Sequence, residues 1–214
     1  MEEHKQYKEN GFMIRNEVKN SKYIDDIIKA LKNVDSVYIR YCRPNINKGL
    51  KNYYMYVERV FAYEFYHQYR LIMSRKKKKY EGLYLNGEQQ KSSLVWKGLK
   101  RQTPDMVLHG NISKPEYDGF TQKWLCEIKM CTNPNAVDDL KKIKEESLKL
   151  NFSEYYFLFV GGNDDELKRK YDNSLLTADK IYDKTICICV EITDENNNYN
   201  IVCKRFEDIV KLNE

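Results

Sequence analysis

The chain has 214 residues, 42% of them hydrophobic and 13% aromatic, which is enough for one domain with a sizeable core and excludes a disordered polypeptide. Charged residues make up 32% of the chain, so the surface is strongly polar, and no apolar run approaches the ~20 residues that a membrane-spanning helix needs. The net charge of +5 suits a polyanionic partner without requiring one.

The start, Met1-Glu2-Glu3-His4-Lys5, carries no apolar signal segment. Six cysteines form no Cys-x-x-Cys pair, and the three histidines complete no zinc spacing. Reduced structural thiols in a cytoplasmic protein are therefore expected.

Residues 1–20 are polar and carry no clear element. Over 21–32, Ile24, Ile27, Ile28 and Leu31 keep helical spacing with Ser21 as a cap. Residues 37–41 read as a short strand ended by Arg43-Pro44-Asn45. The strongest helical pattern covers 52–73, with Val57, Val60, Phe61, Glu64, His67, Gln68 and Leu71 on one side. A carboxylate inside such a stripe costs several kcal/mol unless something pairs with it. Glu64 is thus the expected inward acid, and Glu58 lies about 240° away around the helix.

Arg75-Lys76-Lys77-Lys78-Lys79 follows, a solvated loop or a phosphate contact. Two strands are expected at 80–85 and 93–99, with Asn86-Gly87 as a turn. Pro104 lacks a donor, which suits the start of a strand, so Asp105 opens a short strand running to His109. A polar connection over 111–122 leads to Lys123-Trp124-Leu125-Cys126-Glu127-Ile128-Lys129-Met130. Alternation puts Trp124, Cys126, Ile128 and Met130 on one face, and Leu125, Glu127 and Lys129 on the other. An acid and a base side by side on a rigid element can hold a metal ion and position a water. Paired antiparallel, the two strands would bring Asp105 and Glu127 to one ion.

Downstream, Asn135 caps a helix over 136–150 whose inward stripe is Ala136, Leu140, Ile143 and Ser147, with Lys141, Lys142 and Lys144 largely outside. Residues 155–160 read as a buried strand closed by Gly161-Gly162, and 163–183 as a polar connection. Strands at 185–192 and 199–204 and a short helix at 206–212 complete the pattern. His109, Trp96 and Trp124 read as core residues.

The order of helix, strands, Pro104-Asp105, Glu127-Ile128-Lys129, helix and buried strand resembles the PD-(D/E)xK nuclease superfamily over about residues 52–192. The resemblance implies an α/β fold with a restriction-endonuclease-like core, a central mixed sheet flanked by helices. It leaves residues 1–50 as an N-terminal helical extension of the same domain. It also implies a magnesium-dependent endonuclease, manganese being the expected substitute, acting on DNA rather than RNA, with pairing of two copies for double-strand cutting. The implied catalytic set is Glu64, Asp105, Glu127 and Lys129. The implied metal ligands are Glu64, Asp105, Glu127 and the Ile128 carbonyl, with His67 and the Arg75–Lys79 run near phosphate. No glutamine on the helix after Lys129 is placed as in the family's exonuclease branches. The alternative is a catalytically silent nucleic-acid-binding or assembly module on the same fold.

Overall fold

The computed structural model describes residues 5–9, 12–43, 53–87, 104–110, 122–148, 151–174, 182, 184–193 and 198–210. The N-terminal part contains strands β1 (Lys5–Glu9) and β2 (Phe12–Asn16), then helices α1 (Ile24–Lys32) and α2 (Ser36–Ile39). A two-stranded ribbon of β3 (Tyr41–Arg43) and β4 (Tyr53–Met55) precedes the long helix α3 (Glu58–Arg75). Next come α4 (Lys77–Tyr80), β5 (Leu83–Gly87), β6 (Met106–Gly110) and β7 (Gln122–Met130). The C-terminal part is α5 (Asp138–Ser147), β8 (Glu154–Val160), α6 (Asp164–Asp172), β9 (Ile186–Ile192), β10 (Tyr199–Arg205) and α7 (Phe206–Val210).

Eight of these strands form one mixed sheet in the order β1-β2-β10-β9-β8-β7-β6-β5. Strands β5, β6 and β7 are a consecutive antiparallel run, and β8 joins β7 in parallel through the α5 crossover. The protein is α/β, with helices on both faces of a mixed sheet. One face carries Trp124, Cys126, Ile128 and Met130 of β7 against α1 and α3, through Ile27, Leu31, Phe61 and Phe65. The other carries Leu125 of β7 with Phe157 and Phe159 of β8 against Leu140 and Ile143 of α5 and Leu167 of α6. From Trp124 onward β7 is therefore apolar on both sides except at Glu127 and Lys129, as a central strand between two helical layers requires.

Several local expectations change. Residues 36–39 are helical because Asp35 Oδ1 accepts the Val37 amide at 3.0 Å, a short-range bond that outcompetes strand propensity. Residues 53–55 pair as β4, so α3 begins only at Glu58. Asn86 and Gly87 are not a turn but the end of β5, paired with Val107 and Met106. Asn135 does not cap α5, whose N-terminus has no side-chain cap. Helix α6 lies within the polar connection after Gly162, capped by Asn163, which accepts the Glu166 amide. Residues 12–16 extend the sheet by pairing in parallel with β10, so the N-terminal segment is not only helical. The expected strand at 93–99, with Trp96, lies outside the described residues, as do most of the connection at 111–122 and residues 211–212.

Polar cross-links tie the layers together. On β10 the almost buried Lys204 bonds Asp164 of α6 at 2.8 Å, and Arg15 of β2 reaches the same carboxylate at 2.7 Å. On the opposite layer Asp26 of α1, 1% exposed, accepts Lys79 at 2.7 Å, the Tyr80 hydroxyl at 2.6 Å and Lys76. Lys76 and Lys79 thus fix α4 to α1 rather than standing open for phosphate.

Burial pushes the Asp26 carboxyl up, but the hydrogen bonds from Lys76, Lys79 and Tyr80 outweigh it and hold it below the ordinary carboxylate value. The stability this adds is present above the unfolded value near ~3.9 and is lost as pH falls through the folded one. Asp26→Asn should cost about 1–3 kcal/mol at neutral pH and flatten the acid limb below about pH 4, read as the urea midpoint against pH. A limb as steep as the parent's would remove this role from Asp26.

Candidate metal centre

The centre forms where β6 begins and β7 continues. Asp105 precedes β6, and its Oδ2 accepts the Ile128 amide of β7 at 2.7 Å. The carboxylate therefore occupies the place where a longer β6 would have continued the ladder, and it is held at the strand edge by its own bond. A residue in such a ladder presents its N–H and C=O to the same edge, so the Ile128 carbonyl faces the side on which Asp105 sits. Burial raises the Asp105 carboxyl, against the Ile128 amide and the nearby Lys129 and Lys142.

Glu127 is fully buried. Its Oε2 accepts Lys142 of α5 at 2.6 Å, whereas Oε1 takes no hydrogen bond among the described residues. Burial, reinforced by Asp105, raises its carboxyl well above the ordinary range despite Lys142. Asp139, three residues before Lys142 on α5, completes the group. One oxygen each from Asp105, Glu127 and Asp139 lie within 4.8 Å of one another. Octahedral magnesium, with bonds of ~2.1 Å, spaces its ligand oxygens about 3.0 to 4.2 Å apart, so a small side-chain rotation suffices. All three donors are oxygens and one is an orphaned buried acceptor, the donor set of a hard cation.

Lys129 points to the same place from β7. It bonds Glu58 of α3 at 2.8 Å and Asp139 of α5 at 3.2 Å, so it bridges the two helical layers. Burial alone would lower its ammonium, but Glu58, Asp139 and Asp105 together push it above its ordinary value. Among these carboxylates Lys129 is favoured in its charged form. Among the described residues four carboxyl groups, of Glu58, Asp105, Glu127 and Asp139, meet two ammonium groups, of Lys129 and Lys142.

Sequence reasoning reached Asp105, Glu127, Ile128 and Lys129, which the fold brings together. It misplaced the helical acid. The inward stripe of α3 is Phe61, Phe65, Tyr69 and Ile72, while Val60 is 41% exposed. Each buried aromatic is worth roughly 1.5–3 kcal/mol more than an exposed one, and together they set the helix rotation. Glu58 continues that stripe toward the site. Glu64 is half-buried, bonded by Gln68 at 2.6 Å, and is not in the carboxylate cluster. His67 is exposed on α3. His109 is buried between Asn86 and the Gly110 carbonyl at 2.7 Å each, a core histidine. Asp139 and Lys142 were missed. The available signal was Asp139 at helical spacing from Ala136 and Ile143, whereas Lys142 was placed outside the inward stripe.

No protein-family model, curated protein or solved structure matches this chain. The site therefore rests on its own geometry.

Lys142→Met strands a buried carboxylate and should cost the metal-free protein about 3–5 kcal/mol in urea unfolding. Adding Glu127→Gln to Lys142→Met should restore most of that, because no unpaired charge then remains. A single-variant loss under about 1 kcal/mol would show that Lys142 does not neutralise Glu127.

Proposed function

We propose that the protein is a divalent-metal-dependent phosphodiesterase acting on nucleic acid, with magnesium as the ion and DNA as the substrate. The observation that carries this is the convergence of Asp105, Glu127 and Asp139 oxygens within 4.8 Å, beside a lysine held as a cation. The order α3-β5-β6-β7-α5-β8, with a three-stranded antiparallel run followed by a parallel crossover, supports the resemblance to the PD-(D/E)xK nucleases. So does the location of Pro104-Asp105 and Glu127-Ile128-Lys129 at one strand end.

A phosphodiester is anionic and repels hydroxide, so its hydrolysis needs charge neutralised and a nucleophile made. Asp105, Glu127 and Asp139 would hold a divalent cation, which would supply a Lewis acid and a more acidic water. Water adds to phosphorus and gives up a proton to solvent, one P–O ester bond breaks, and the departing oxygen takes a proton from solvent. Lys129, in its charged form, orients the water and offsets the charge that grows on the phosphoryl oxygens. Glu58 and Asp139 hold Lys129 in place, so Glu58 is a positioning residue.

The second reading, a silent nucleic-acid-binding module, is carried by Lys142. Its ammonium already sits on Glu127 at 2.6 Å and could stand in for the ion for good. Magnesium titration by calorimetry, with cleavage of plasmid and oligonucleotides, separates the two. Under the first reading the parent binds magnesium and cleaves. Asp105→Asn, Asp139→Asn and Lys129→Ala each lower kcat by about 10²-fold or more, and Glu64→Ala leaves it within about twofold of the parent. A parent that neither binds magnesium or manganese nor cleaves would leave the second reading standing.

A further inference from the structure

A groove of about 630 Å³ runs between the second half of α3, α4 and β5. Its cations are Arg70, Lys77 and Lys78, opposed by one acid, Glu81. The lysine run divides by helical geometry: Lys76 and Lys79, three apart, turn to Asp26, and Lys77 and Lys78 turn to the groove. Both are exposed and make no ion pair among the described residues.

Two tyrosines line the groove, Tyr66 from α3 and Tyr84 from the edge strand β5, whose Leu83 and Leu85 turn to α3 while Tyr84 turns the other way. Tyr84 is 51% exposed, and its ring lies 6.3 Å from that of His109, which Asn86 and the Gly110 carbonyl hold in place. Tyr66 is pinned by its hydroxyl to the Leu85 carbonyl at 3.1 Å, with the Arg70 guanidinium 5.9 Å from its ring centre. Exposed aromatic rings beside cations bind unpaired bases by stacking while the cations take phosphate. A duplex hides its base faces and would use only the cations.

The groove's lining ends at Asn86, one residue before Gly87. Gly87, the last residue of β5, pairs with Met106, which follows Asp105. A Cβ on Gly87 would stand 3.7 Å from the Asp105 carbonyl oxygen and 3.8 Å from the Tyr66 ring. From Tyr66 to Arg75, the end of α3, is about 13 Å along the helix, or roughly four stacked nucleotides at about 3.4 Å each, and Lys77 follows at the start of α4.

We infer that this groove is a track for an unpaired nucleic-acid strand, which it feeds toward Asp105. The inference rests on the phosphodiesterase reading for what happens at the end of the track, but binding in it does not. The test is fluorescence anisotropy of the full chain in EDTA, with labelled oligo-dT and oligo-U of about 15 nucleotides and a blunt duplex of the same length. The single strands should bind more tightly than the duplex. Tyr84→Ala should weaken them about tenfold and Tyr84→Phe should restore them. Lys77→Gln with Lys78→Gln should lower the slope of log affinity against log salt by about 1.4. Thermal melts of each variant check folding, which changes at exposed positions should leave intact. Tighter duplex binding, equal competition by polyglutamate, or a Tyr84→Ala protein that binds like the parent would each overturn the track. Normal strand binding without cleavage would overturn hydrolysis alone, and cleavage with any of those three results would overturn the track alone.

Discussion

A carboxylate with no access to water, in the central strand of a sheet, is the constraint from which the rest of this structure follows. Glu127 sits where β7 is covered on both faces, and an isolated charge there would cost several kcal/mol. Lys142 meets one oxygen, the other takes no hydrogen bond among the described residues, and Asp105 and Asp139 bring two more carboxylates close. Burial and Asp105 both push the carboxyl upward, so the ionised form is strained until positive charge arrives. Such a group is an unfavourable choice for stability alone.

The fold serves that group by dividing β7 between two tasks. One face, with Trp124, Cys126, Ile128 and Met130, is apolar and anchors α3, where the Trp124 indole also donates to the Tyr69 hydroxyl at 3.2 Å. The other face begins apolar at Leu125 and becomes charged at Glu127 and Lys129. Because β6 begins only after Asp105, the edge of β7 opens at this point, and side chains from α3 and α5 reach it. Lys129 joins Glu58 and Asp139 across the two layers, so a helix shift on either face would be felt at the site. Charge placement and layer packing are thereby coupled.

Peripheral cations follow the same logic of local neutralisation. Asp26 captures Lys76 and Lys79, and Asp164 captures Lys204 and Arg15. A basic run read from sequence as one feature becomes two sets with different neighbours, decided by which side of a short helix each lysine occupies.

Alternation in 123–130 was enough to put the apolar face of β7 in a core and Glu127 beside Lys129, since the period of a strand is independent of what packs on it. Pro104 marked where β6 begins, and the apolar run 155–160 marked a buried strand. The rotation of α3 was not legible, because Val57, Val60 and Leu71 offered one stripe and Phe61, Phe65 and Tyr69 another. Only packing against Trp124 chose between them, and with that choice the helical acid became Glu58 in place of Glu64. Asp139 and Lys142 were hidden for a similar reason: a polar residue on an amphipathic helix faces solvent by default, and only the crossover from β7 to β8 turns it onto a buried carboxylate. Local periodicity determined the central strands β7 and β8 and their faces; which charges meet was decided by how helices seat on the sheet, a long-range matter that residue order near each acid does not encode.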